Sequence, residues 1–121
     1  MAQPKWLDKP ETTRGRSDKQ ENRITKDVTS LGKSKGRTAI NSGATFGQND
    51  VFNDELEIEA KTTYKDSYSL KVSELNKLKR RTKDPKIPIF VVEFDKSDKK
   101  LAQEYAVIEY SILIELLKNQ K

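Results

Sequence analysis

The sequence predicts an α/β fold of the α+β kind: a mixed central β-sheet flanked by helices, in the order α-β-β-β-α-β-β-α. Three stretches carry this expectation. Asp50 to Lys61 alternates like a β-hairpin, Pro88 to Phe94 is a short apolar run, and Ile24, Val28 and Leu31 recur at helical spacing.

Taken in order, Ser17-Asp18-Lys19-Gln20 has the form of a capping box with Ser17 as N-cap. It predicts a helix from about Asp18 to Leu31, with Glu21 at the edge of the apolar stripe. Gly32 to Gly36 ends that helix in a basic loop. Arg37 to Asn41 reads as a short strand, and Ser42 to Gly47 as a loop containing two glycines. In the hairpin, a turn at Asp54-Glu55 pairs Asn53 with Leu56, Phe52 with Glu57, Val51 with Ile58 and Asp50 with Glu59. Thr62 to Ser69 reads as a polar linker. A helix follows from about Val72, capped by Ser73 or its neighbour. Leu75 and Leu78 turn inward, with Lys77, Lys79, Arg80, Arg81 and Lys83 on the far side, until Asp84-Pro85-Lys86 breaks it. Pro88 to Phe94 is a buried strand, Asp95 to Lys100 a charged turn, Glu104 to Glu109 a further strand, and Ser111 onward a closing helix.

Composition sets limits. At 121 residues, 33% hydrophobic and 36% charged, the chain has material for one modest core. Apolar side chains are sparse near the N-terminus, so a flexible basic arm is expected over residues 1–13 and a single domain over 14–121. The net charge of +5 and a pI near 9.3 favour an anionic partner such as nucleic acid. With neither cysteine nor histidine, the chain has no disulfide, no zinc finger, no thiol nucleophile and no histidine base. It opens without a signal pattern, and no apolar run approaches the roughly 20 residues of a membrane span. A soluble, cytoplasmic protein is expected.

The hairpin is where the chemistry concentrates. Its register puts Asp50, Glu59 and Lys61 on one face, with Ile58 and Ala60 pointing the other way towards a core. Like charges facing across a ladder repel unless a cation lies between them, and oxygen ligands of this kind suit Mg²⁺, with Mn²⁺ as a substitute. Asp50 and Glu59 would hold the ion with the carbonyl of Ala60 and several waters. Glu21 would add an oxygen from the first helix, and Lys61 would orient the attacking water or balance charge on a phosphoryl group. Glu57 shares the face of Glu59 and competes for the ligand role, but it lies opposite Phe52 rather than Asp50. The alternative is a half-exposed hairpin whose charges are simply solvated. Glu59-Ala60-Lys61 is the only Glu-x-Lys in the chain.

Glu21 on a helix, Ser42-Gly43 after a strand, Asp50-Val51, then Ile58-Glu59-Ala60-Lys61 follow the order of the PD-(D/E)xK nucleases. Over about residues 14–110 the chain resembles the archaeal-type Holliday junction resolvases and their phage relatives. The resemblance implies a restriction-endonuclease-like core and an active site of Glu21, Asp50, Glu59 and Lys61, with Ser42 near the scissile phosphate. It also implies a phage protein at work in the host cytoplasm. Asn49 stands where the motif's proline would be, and the loop from Gly32 to Gly36 is short and basic.

Basic groups complete the expectation. Arg14 and Arg16 before the first helix, Lys33, Lys35 and Arg37 after it, and Lys79, Arg80 and Arg81 on the second would contact a DNA backbone. The closing helix carries Ile112, Leu113, Ile114, Leu116 and Leu117, more apolar surface than one stripe can bury, which predicts a homodimer. The combined expectation is a Mg²⁺-dependent endonuclease acting on four-way DNA junctions by paired nicks. Another PD-(D/E)xK endonuclease of restriction or repair type, and a non-catalytic DNA-binding protein of the same fold, are the alternatives.

Overall fold

The structure, a computed structural model, describes residues 13–32, 34–38, 50–95 and 103–120, with the backbone alone at 13, 14 and 16. Its elements are α1 (Thr13–Ser30), β1 (Arg37–Thr38), β2 (Val51–Phe52), β3 (Leu56–Thr63), α2 (Val72–Arg81), β4 (Ile87–Phe94), β5 (Gln103–Ile108) and α3 (Tyr110–Lys118). The five strands form one mixed sheet in sequential order. Only β3 and β4 run parallel, as the α2 crossover between them requires. The expected α+β class and order of elements hold.

The hairpin register also holds. Val51 lies opposite Ile58 and Phe52 opposite Glu57, and the Asn53 N–H donates to the Leu56 carbonyl at 3.1 Å. The turn is fixed by Asn53, whose Oδ1 accepts from the N–H groups of Glu55 at 2.9 Å and Leu56 at 2.7 Å.

Alternation along β3 divides the core in two. Ile58 and Ala60 join Val51 and Val91 beneath Ile24 and Val28 of α1. On the other face Phe90 and Val92, the parallel partners of Glu59 and Lys61, pack with Leu78 of α2. Phe90 is wholly buried, and truncating such a ring to alanine costs about 3–5 kcal/mol. The strand that carries the acidic residues is therefore clamped on both faces.

Several expectations are corrected. α1 starts at Thr13, so Ser17 is not its N-cap, and Arg14 and Arg16 lie inside the helix rather than before it. Ser is neutral enough within a helix that a capping pattern does not force a start. Leu31 falls beyond the last turn and is 62% exposed, so the apolar stripe ends at Val28. The terminator is Gly32, at φ 77°, in the left-handed region that glycine enters without strain. Gly36 serves differently. A Cβ there would come within 2.8 Å of the Thr25 carbonyl, and its absence lets the chain cross α1 closely before β1. β3 runs on to Thr63 and shortens the polar linker. At α2 the N-cap is Lys71, with no side-chain cap, rather than Ser73 or its neighbour.

α3 departs furthest from expectation. None of its residues is buried, and it packs extensively on no other element. Tyr110 is 75% and Leu117 54% exposed, while Ile112 and Ile114 are half-buried. The arm expected over 1–13 lies outside the described residues, save Thr13, which opens α1. Among the described residues no helix is long and apolar enough to cross a membrane.

Candidate active site

β2 ends the pairing of the first hairpin strand at Val51, and Asp50 sits one residue before it, where the ladder gives way to side chains. Asp50 Oδ2 accepts the Ala60 N–H at 2.9 Å, which fixes the carboxylate against β3. Glu59 lies close enough to feel this carboxylate. Burial first, then the charge and hydrogen bond of Asp50, push Glu59 up to about 7, against the opposing pull of Lys61 and Arg81.

Glu21 belongs to the same electrostatic unit. Burial, the charge of Asp50 and that of Asp18 raise it to about 7 as well. Even so, among the described residues no three acidic side chains converge tightly enough to hold one ion. Asp50 and Glu59 form the close pair, and Glu21 is the neighbour that feels it. A site of two carboxylates fits Mg²⁺, which usually keeps several waters and takes one or two protein carboxylates.

Lys61 Nζ stands 3.6 Å from Glu59 Oε2, a loose ion pair with the ammonium side chain 45% exposed. Glu57, the competing ligand, is occupied. Lys86 Nζ contacts its Oε1 at 3.1 Å and lies 5.5 Å from the centre of the Phe52 ring. Glu57 is thus engaged by a neighbour 29 positions away in sequence. The Tyr68 hydroxyl donates to Glu74 at 2.9 Å, and burial followed by that bond raises its pKa to about 12.

Of the basic residues, Arg81 is close enough to act on the charge of Glu59, whereas Lys79 is tied to Glu109 at 2.8 Å. Arg80, Lys35 and Arg37 are exposed. Ser42, Gly43 and Lys33 lie outside the described residues, as do the side chains of Arg14 and Arg16.

A second polar cluster was not anticipated. Gln20, completely buried, donates from Nε2 to the Lys61 carbonyl at 2.9 Å and to Glu104 Oε2 at 3.2 Å. Arg23 bridges Glu104 at 2.7 Å and Glu93 at 3.2 Å. The signal was present in the spacing: Gln20 precedes Ile24 and Val28 by four and eight positions, a polar residue on an apolar stripe. Comparisons with protein families, with curated proteins and with solved structures find no match to this chain.

Proposed function

We propose that this chain is a Mg²⁺-dependent DNA endonuclease with a restriction-endonuclease-like core, acting on four-way junctions as a Holliday junction resolvase. The observation that carries the reading is the Asp50–Glu59 pair. Two carboxyl groups lie close together at the end of a hairpin, with Asp50 fixed on the Ala60 N–H, Glu59 pushed up to about 7, and a loose lysine and the charge of Arg81 opposing that rise. Such a pair is costly unless an external cation completes it.

Asp50 and Glu59 would bind Mg²⁺ (or Mn²⁺) once Glu59 loses its proton. The carbonyl of Ala60 is available as a further ligand, because the N–H and C=O of a strand residue leave by the same edge and its N–H already faces Asp50. The bound ion supplies Lewis acidity to a phosphoryl oxygen and lowers the pKa of a bound water. Lys61 orients the attacking water and offsets charge gathering on the phosphorus. Glu21 biases the pair towards cation binding by adding negative charge, and Ser42 contributes near the scissile phosphate. Arg81, whose charge acts on Glu59, would meet the phosphate there, while Arg80, Lys35 and Arg37, with Arg14, Arg16 and Lys33, supply sequence-independent backbone contacts. Lys79 adds less because Glu109 already compensates it.

A homodimer fits this reaction, since two nicks placed symmetrically need two identical sites. Its support is α3, whose Leu113, Leu116 and Leu117 are all exposed in the single chain. A light-scattering mass of about twice 13.9 kDa is expected. A mass that stays at one chain, with and without junction DNA, would reject the dimer.

The deciding experiment compares a four-way junction with linear duplex of the same sequence, in Mg²⁺. Paired nicks confined to the junction are expected. Equal cutting of both would indicate a restriction- or repair-type nuclease instead. Binding with no cutting in Mg²⁺ or Mn²⁺ would leave a DNA-binding protein.

A further inference from the structure

Gln20 is fully buried, yet among the described residues its Oε1 has no hydrogen-bond partner. A buried amide with an idle oxygen is less favourable than a methionine or leucine of similar size, so core stability does not account for it. Residues that break a local rule of this kind concentrate where function demands them. Its other end is fully committed. Nε2 lies between two acceptors, the Lys61 carbonyl at 2.9 Å and Glu104 Oε2 at 3.2 Å, which settles which way round the amide sits. Arg23 holds Glu104 at 2.7 Å and so keeps that second acceptor in place.

The target matters. Lys61 has one ion-pair contact, at 3.6 Å, and a half-exposed side chain, so little beyond its main chain fixes the ammonium. Among the described residues β2 pairs with β3 only at Glu57 and Ile58. Past that point β3 keeps its ladder with β4 as far as Thr63, while on its free side Asp50 takes the Ala60 N–H, and Gln20 adds a side-chain bond to the Lys61 carbonyl. Gln20 also adjoins Glu21, so one turn of α1 both pins Lys61 and carries Glu21 towards Asp50.

We infer that Gln20 is a positioning residue for the cleavage reaction, holding the Lys61 backbone so that the ammonium faces the water and phosphate beside Asp50 and Glu59. The inference rests on the nuclease reading above. Gln20 touches no substrate; it acts through Lys61.

The test uses the full chain, junction or duplex DNA and saturating Mg²⁺. Gln20→Met keeps length and burial but removes the donor. Its kcat is expected to fall about tenfold or more, as displacement of a reacting group by about 1 Å can do, with KM for DNA and Tm close to wild type. Further Mg²⁺ should not restore the rate, because the metal ligands are intact. Glu104→Gln is the matched control. It weakens the Arg23 cluster and lowers Tm, but leaves the bond to Lys61, so kcat should stay near wild type. If Gln20→Met does not fold, Gln20→Asn, one methylene too short to reach the carbonyl, replaces it with the same expected kcat loss. A wild-type kcat in the Gln20 variant, or a kcat that tracks Tm through both positions, would overturn the inference alone. A wild-type chain that cuts nothing in Mg²⁺ or Mn²⁺ would overturn the nuclease reading and this role with it.

Discussion

Two pairs of carboxylates lie on or beside the β-strands of this sheet, and they meet opposite fates. Glu93 and Glu104 are partners across β4 and β5, with Arg23 of α1 bonded to both. Burial still raises Glu93, but the arginine opposes it. Asp50 and Glu59 are neighbours at the end of the hairpin, and among the described residues the ammonium in contact is Lys61, at 3.6 Å from Glu59. Here burial, then the charge of Asp50, push Glu59 up to about 7 against the pull of Lys61 and Arg81. The first pair is compensated from within and reads as architecture. The second is left short of positive charge, which is the condition for recruiting a cation from outside.

Substitution of the carboxylates should give the largest contrast. Asp50→Asn or Glu59→Gln is expected to cut cleavage by about a thousandfold or more, with DNA binding nearly unchanged. In EDTA at pH 8 neither variant should be less stable, because repulsion has been relieved. Arg23→Met should do the reverse. It strands Glu93 and lowers stability by about 1–3 kcal/mol, a range kept modest because the Arg23 side chain is 41% exposed. Retained cleavage in both carboxylate variants with Mg²⁺ present would erase the distinction.

Metal should separate the pairs next. A ligand at a hundred times its Kd stabilises a protein by about 2.7 kcal/mol, so Mg²⁺ should raise Tm at pH 8 in wild type and in Arg23→Met, but not in Asp50→Asn. Mn²⁺ should support cleavage, whereas Ca²⁺, with looser coordination, should allow binding without cutting. Full activity in EDTA would reject the metal mechanism.

Acid and base sharpen the comparison further. Glu59 and Glu21 titrate near 7 in the fold against an ordinary 4.5, so the native state retains protons that the unfolded chain has released. Their contribution is present below pH 4.5 and fades as pH rises to about 7, so metal-free stability should decline through that window and level off above it. Glu93 is shifted the same way, so the diagnostic quantity is the flatter slope in Glu59→Gln. Thermal unfolding in EDTA at pH 5 and pH 8 measures it. A wild type that gains stability towards pH 8 contradicts the assignment.

The smallest effects concern the basic residues, where the same division between compensated and uncompensated charge applies. Arg80 is exposed with no described partner, whereas Lys79 is bound to Glu109. Arg80→Ala should weaken DNA binding severalfold and reduce the slope of log K against log salt by about 1, and Lys79→Ala should do less. Equal slopes for the two variants, from binding titrations across salt, would show that the Glu109 pairing does not persist when DNA is bound.

Much of this layout was legible in the residues. The hairpin register was, because side chains alternate with a period of two and a two-residue turn leaves one pairing that buries Val51 with Ile58. The preference for Glu59 over Glu57 followed from that register, which sets Glu57 opposite Phe52. The ends of helices were less legible. Ser17 offered a plausible cap that the chain passes through, since capping is worth about 1 kcal/mol and tertiary packing outweighs it. Leu31 fitted the stripe by spacing, but the helix stops before it. The packing of α3 was misjudged for a related reason: amphipathicity shows which residues seek cover and says nothing of what covers them.

What the sequence determined by itself were properties set by local geometry and by residue chemistry: the order of eight elements, the face shared by Asp50, Glu59 and Lys61, and a repertoire without thiol or imidazole. What only the tertiary structure decided depends on distance and burial between segments far apart. Lys86 pairs with Glu57 from 29 positions away, and Gln20 reaches Lys61 across 41 and Glu104 across 84. Whether a carboxylate is compensated or left needing a cation turns on such contacts. Electrostatic energy falls with separation and grows as water is excluded, and neither quantity is written in the order of the residues.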